Sequence, residues 1–307
     1  MAAQKKDCLS DFPFHLKMSN SHHRRTIAAS LVNGVYILEE DRQARRDGPN
    51  ALASPWWKFF NFKLVRTLTD DVDNSIFGAI YEFKPQFSMC NDAFSPDYVI
   101  AFRGTLLKAK SFVRDIKLDF EIIKNRFHLT SRCEIALEAV RSIVDYVGAS
   151  NIWLTGHSLG SSIAMHAGKT MANSGIFINS FLFNPPFVPC PIEKTVGKYV
   201  SNVVKAGVYI LSMMGDRERV FSYDSLSEWT PYLFVNPSDY ICSGYIGSFG
   251  ATFIEKLACS FSLDRLHLIP SAYLTVNVTS SKELREVHGI NQWLKPNLQL
   301  ETNLHQY

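Results

Sequence analysis

The sequence predicts an α/β fold with a mainly parallel central sheet, on three observations. Short apolar runs (Tyr98–Phe102, Ile152–Thr155, Phe177–Phe183) alternate with helical patterns (Ser131–Val147, Leu159–Ala172), the order that builds parallel strands joined by helices. Tyr98-Val99-Ile100-Ala101-Phe102 is apolar without alternation, as a strand buried on both faces must be. Between the second run and its helix stands Thr155-Gly156-His157-Ser158-Leu159-Gly160, which reads as strand, sharp turn, helix. A serine at such a turn needs glycines two positions before and after it, because Cβ atoms there would collide with the backbone. Its hydroxyl is then pushed out above the sheet edge, where the N–H groups of the following helix favour negative charge.

The 307 residues suffice for one large core. With 46% hydrophobic and 20% charged residues and a net charge of +3, the composition is that of an ordinary globular chain and gives no sign of a nucleic-acid partner. Six cysteines lie scattered without metal-ligand spacing, no His-Glu-x-x-His run occurs, and no metal or cofactor is expected. Without an apolar signal core or a run of eighteen apolar residues, the expected location is the cytoplasm.

In chain order, residues 1–20 have no period and read as an irregular arm, and residues 21–307 as a single domain. Ser19 or Ser21 can cap a helix whose apolar stripe is Ile27, Leu31, Val35 and Leu38, ending in the charged stretch Glu39–Arg46. Trp56-Trp57 reads as core packing. Lys63–Leu68 and Ile76–Phe83 flank the turn-forming Asp70–Asn74, as in a hairpin. Gly148 stops the helix Ser131–Val147 in the left-handed conformation.

A serine at a strand–helix turn points to acyl transfer, which needs two oxyanion donors, a histidine base and a carboxylate, in the order Ser, Asp, His. One donor is the N–H after the nucleophile, Leu159; the other comes from a loop after an earlier strand, and Thr105 in Arg103-Gly104-Thr105 fits. Of the histidines after Ser158, His288 follows the last expected strand (Ala272–Val278), where a loop can reach the turn, while His267 precedes it. For the acid, Asp216 and Asp239 each end an apolar run, and the physics of the two barely differs.

Through Ala101-Phe102-Arg103-Gly104-Thr105 and Thr155-Gly156-His157-Ser158-Leu159-Gly160, the chain resembles the class 3 (fungal-type) lipases, a branch of the α/β-hydrolases. It looks closest to plant lipase-like members, through Ser21-His22-His23-Arg24-Arg25 and His288-Gly289-Ile290-Asn291-Gln292-Trp293. The resemblance implies helices on both faces of the sheet, Ser158 as nucleophile and Thr105 and Leu159 as the oxyanion hole. It favours His288 as base. It also favours Asp239 as the acid, because Val235-Asn236-Pro237-Ser238-Asp239-Tyr240-Ile241 matches the family's V-N-x-x-D-x-I. One departure is Ser161, where a second small residue is usual; another is the long segment between Ser158 and Asp239.

That segment has room for a lid or cap around 186–230. Val196, Tyr199, Val200, Val203, Val204, Val208, Leu211 and Met214 recur at helical spacing, with Lys194, Lys198 and Lys205 between them. Residues 192–214 are either a core helix or a lid whose lysines meet a membrane or lipid-droplet surface. The expected activity is hydrolysis of lipid acyl esters through Ser158, His288 and Asp239, against a catalytically silent lipase-like scaffold that binds a ligand or partner.

Overall fold

A computed structural model describes residues 19–85, 94–106, 131–187, 226–249, 269–279, 281 and 283–306. Eight strands form one sheet in sequential order: β1 (Phe62–Thr69), β2 (Ile76–Phe83), β3 (Tyr98–Phe102), β4 (Ile152–His157), β5 (Asn179–Phe183), β6 (Tyr232–Val235), β7 (Ala272–Asn277) and β8 (Leu300–His305). Strands β3 to β7 are parallel; β1, β2 and β8 join antiparallel at the two edges. This is the expected mainly parallel sheet of an α/β-hydrolase. Strand β8 is an addition that the sequence reading lacked: its Leu-Glu-Thr-Asn-Leu-His is exposed through its centre, and an edge strand of that kind has no apolar pattern to announce it.

The central strands divide their side chains between two cores. Ile100, Phe102, Ile152, Leu154 and Leu182 enter one cluster with α3 (Ser131–Val147) and α4 (Leu159–Ala172), which include Cys133, Val140, Ile163 and Met165. Val99, Ala101, Trp153, Phe181 and Phe183 enter the other, against α1 (Ser21–Gln43), α2 (Pro55–Lys58) and the C-terminal Trp293. Parallel neighbours joined by crossovers of one hand put their connecting helices on one face, so α3 and α4 lie together and α1 covers the other side. Helices therefore cover both faces, and Trp56 and Trp57 are core.

Several local expectations change. Asn20 caps α1, its side chain accepting the His22 N–H at 2.8 Å; serine and asparagine serve about equally well there, so composition did not choose between them. Helix α1 buries far more than one stripe, since Ala28, Ala29, Val32, Asn33 and Gly34 are also inside. Two acids of its charged end, Glu39 and Asp41, are buried too. Glu39 accepts from Arg42, Gln43 and the Ile76 N–H, and these bonds outweigh the burial that would push its carboxyl up. Asp41 accepts the N–H groups of Leu52 and Ala53. Gly148 has φ 83° and ψ 153°, glycine territory but not the left-handed helical cap. The arm (residues 1–18 of it), most of the 186–230 segment, Asp216 and His267 lie outside the described residues. Among the described residues, no helix is long and apolar enough to cross a membrane.

Candidate active site

The site lies at the C-terminal ends of the parallel strands, where open α/β sheets place their ligands. Strand β4 ends at His157 and α4 begins at Leu159, leaving Ser158 alone in the turn with φ 54° and ψ −126°. That conformation costs a non-glycine residue on the order of 1–3 kcal/mol and persists only where the surroundings impose it. Here they do. A Cβ on Gly156 would lie 2.2 Å from the Gly160 carbonyl oxygen, and one on Gly160 would lie 2.4 Å from that of Phe102. The Ser158 N–H donates to the Phe183 carbonyl at 2.9 Å, fixing the turn to β5. Ser161, the departure from the family pattern, is buried with its hydroxyl 2.8 Å from the Gly156 carbonyl and 2.7 Å from that of Phe183. It pins the same turn, so the substitution adds a tie.

His288 closes the short helix α5 (Leu284–His288) beyond β7. Its Nε2 is 2.9 Å from Ser158 Oγ and its Nδ1 is 2.8 Å from Asp239 Oδ2. A carboxylate only accepts, so Nδ1 carries the hydrogen, and in the neutral ring Nε2 is left to accept from the serine hydroxyl. The chain Asp239–His288–Ser158 is therefore polarised toward removing the serine proton.

Asp239 sits in the turn after β6, its N–H bonded to the Asn236 carbonyl at 3.0 Å. Side-chain exposure of His288 and Asp239 is 1% and 0%. Burial by itself would raise the Asp239 carboxyl; His288 beside it, with donors from Asn184 and Cys242, overrides this and holds it below the usual carboxylate range. Asn184 Nδ2 donates to Oδ2 at 2.7 Å, the Cys242 thiol lies 3.3 Å from the same oxygen, and the Ile241 N–H reaches Oδ1 at 3.1 Å. Burial and the facing carboxylate push the Cys242 thiol well up, so it stays protonated and remains a donor.

Besides Cys242, three supporting residues had no role in the sequence reading, although Gln292 and Trp293 lie in a stretch that carried the family resemblance. Asn184, in the left-handed region at φ 45°, donates to Asp239 and to the Val287 carbonyl (3.0 Å) and accepts from Trp293 Nε1 at 2.6 Å. Gln292 accepts from Asn236 (2.9 Å) and Asn277 (3.1 Å) and donates to the Val287 carbonyl. The third is Trp293 itself. The available signal was Asn184-Pro185-Pro186 directly after an apolar strand, a turn at the same sheet edge as the serine.

For the oxyanion, Leu159 is the first residue of α4, whose opening N–H groups have no partner within the helix. Gly104 abuts the serine turn: a Cβ there would lie 2.9 Å from Ser158 Cβ. Thr105 follows it directly. Among the described residues, no group of three or more His, Cys, Asp or Glu side chains could hold a metal ion.

A parallel sheet with a strained serine after β4, followed by an acid after β6 and a histidine after β7, defines an α/β-hydrolase. The chain is 42% identical over 348 aligned positions to the GDSL esterase/lipase At4g10955 of Arabidopsis thaliana, spanning 100% of this chain and 99% of that one. It belongs to the family of that plant esterase/lipase. A Gly-Asp-Ser-Leu run is absent from this chain, whose serine turn reads Gly156-His157-Ser158-Leu159-Gly160. No family model matches. Similar solved structures include a nonglycosylated LIP2 lipase of Yarrowia lipolytica (15% identity, TM-score 0.42, 73% of this chain and 74% of that one). Others are a Rhizomucor miehei lipase–propeptide complex (12%, 0.41, 82% and 67%) and a lipase of Rhizopus microsporus var. chinensis (13%, 0.40, 85% and 75%). The fold assignment rests on the strand order and register above.

Proposed function

We propose that the protein is a serine-dependent carboxylic ester hydrolase acting on lipid acyl esters. The observation that carries this reading is the continuous hydrogen-bonded chain from Ser158 Oγ through His288 to Asp239, at 2.9 and 2.8 Å. In the first step Ser158 Oγ attacks the ester carbonyl while its proton passes to His288 Nε2. Asp239 remains ionised and stabilises the imidazolium. The negative charge on the former carbonyl oxygen is met by the Thr105 and Leu159 N–H groups, a contribution of about 3 kcal/mol for each donor. Collapse of the tetrahedral intermediate breaks the carbon–oxygen bond to the alcohol, which leaves with the proton from His288. Water, deprotonated by His288, then attacks the acyl-serine; the acid departs and Ser158 recovers its proton.

A fluorophosphonate probe, which reacts with activated serines, should label the wild-type protein at Ser158. Ser158→Ala should abolish labelling and lower p-nitrophenyl ester turnover by about ten-thousand-fold or more, with an unchanged melting temperature. An unlabelled wild type that hydrolyses no ester would overturn this reading in favour of a ligand-binding scaffold. A panel of galactolipid, phospholipid and triacylglycerol substrates then identifies the ester, and activity confined to short water-soluble esters would remove the lipid part of the proposal.

A further inference from the structure

A second hydrogen-bonded chain runs behind the nucleophile, and its members do not touch the reacting atoms. His157, the last residue of β4, is buried with Nε2 2.6 Å from the main-chain oxygen of His288 and Nδ1 2.8 Å from the Tyr36 hydroxyl. That hydroxyl also lies 2.8 Å from the Gly104 N–H. Tyr36 belongs to α1, far in sequence from both segments it joins.

The chemistry of the atoms determines the direction of every bond. A carbonyl oxygen only accepts, so His157 Nε2 carries a hydrogen and donates to His288. Burial, assisted by the neighbouring His288, lowers the His157 pKa to about 3, so the ring is neutral and its Nδ1 bears no hydrogen. Nδ1 must then accept from the Tyr36 O–H, and the Tyr36 oxygen accepts from Gly104. The sequence of donors is Gly104 N–H to Tyr36, Tyr36 O–H to His157, His157 N–H to the His288 carbonyl. Both ring nitrogens are satisfied, which lets a polar ring occupy a site enclosed by protein.

The two ends of this chain lie outside the sheet. His288 ends a five-residue helix with Arg285 and Glu286 exposed on it. Its preceding carbonyl, that of Val287, is held by Asn184 and Gln292, and its own carbonyl by His157. Gly104 is the second residue of the loop that carries Thr105. We propose that Tyr36 and His157 are positioning residues for ester hydrolysis, holding the main chain of the base and the oxyanion loop in one fixed relation to Ser158. This inference rests on the serine hydrolase reading above. It assigns a task to the histidine of Gly-His-Ser-Leu-Gly and to a tyrosine on the first helix, without either entering the reaction.

The test compares Tyr36→Phe, His157→Leu and His157→Gln in the full chain. The fraction of competent sites is titrated by prolonged fluorophosphonate labelling, and kcat per titrated site and KM are measured on a short soluble ester. Displacing a reacting group by about 1 Å costs on the order of a hundredfold. Tyr36→Phe and His157→Leu should therefore lower kcat per site by about 10- to 100-fold, with KM within about twofold. His157→Gln retains an N–H for the His288 carbonyl and an oxygen for Tyr36, and should recover most of the loss. Nitrogen NMR of wild-type protein should show His157 protonated at Nε2 alone. If Tyr36→Phe and His157→Leu keep kcat per site while Ser158→Ala abolishes it, the relay is wrong and the hydrolase reading stands. A reduced titratable fraction with unchanged kcat per site would show a folding role only and equally overturn the inference. If His157→Leu fails to fold, Tyr36→Phe decides alone. An unlabelled wild type removes both readings.

Discussion

The nucleophile turn and the acid–base pocket meet at one hydrogen bond, yet they are held by opposite means. Around Ser158 the restraint is the lack of atoms: Gly156, Gly160 and Gly104 let backbones approach at distances that any Cβ would forbid. Around Asp239 and His288 the restraint is a surplus of polar partners, with Asn184, Cys242 and Gln292 drawn from three segments to satisfy a buried carboxylate and the carbonyl before the base. The first kind of restraint is broken by adding a methyl group. The second is broken by removing a donor or by changing which atom donates.

The largest effect should come from the pocket. Asp239→Asn keeps the shape but presents an N–H to His288 Nδ1, favouring the tautomer whose Nε2 cannot accept the serine proton, and should lower kcat by about ten-thousand-fold. Loss of only a few-fold would mean that another carboxylate orients the base, with Asp216→Asn as the next variant to measure.

At the turn, Gly156→Ala puts a Cβ against the backbone of Gly160 and Ser161, which cannot rotate away as a side chain can. Overpacking of this kind costs about 1–3 kcal/mol and sometimes more. At roughly 2–4 °C per kcal/mol for a large domain, the melting temperature should fall by about 2–12 °C, together with activity. An alanine variant with wild-type melting and turnover would show that the close approach is not what shapes the turn.

Asn184→Ala should have a smaller effect, split between stability and rate. It leaves Trp293 Nε1 and the Val287 carbonyl without this partner and takes one donor from Asp239. The cost should be about 1–3 kcal/mol in denaturant unfolding, with a loss of kcat of about tenfold from a less restrained Asp239–His288 pair. Equal kcat in both proteins would confine Asn184 to stability.

The smallest effect is a pH slope that separates the two regions. His157 binds its proton far more weakly folded than unfolded, so its contribution is complete above its free pKa of about 6.5 and is lost as pH falls toward about 3. The carboxyl of Asp239, lowered in the fold, works in the same sense but is lost only as pH falls from its unfolded value through its folded one. Between pH 6 and 4.5 His157 contributes to the slope at up to about 1.4 kcal/mol per pH unit. His157→Gln should flatten it in unfolding titrations across that interval, and an unchanged slope would show that the charged ring finds relief inside the fold.

The contrast between the two regions also explains what could be read in advance. The turn was legible because its restraints are local: glycines at two fixed offsets, an apolar strand before and small residues after, all within a dozen positions. Leu159 was named from its place beside that turn, and Thr105 from the loop after the earlier strand Tyr98–Phe102. His288 and Asp239 were chosen with the help of family resemblance, since Asp216 had an equal physical claim; in the fold Asp239 lies 2.8 Å from His288. Asn184, Gln292 and Cys242 carried little signal, because a polar residue acquires a partner only when distant segments are brought together.

By itself, then, the sequence determined the parallel sheet, the two helices that follow β3 and β4, and the serine at the turn, because apolar period, glycine spacing and chain order are properties of neighbouring residues. It did not determine that α1 would be buried beyond its stripe with Glu39 inside, that β8 would add an edge strand, or that Tyr36 would reach His157. Those were decided in the tertiary structure, where the energy of a buried polar group depends on which donor or acceptor another segment brings to within about 3 Å of it.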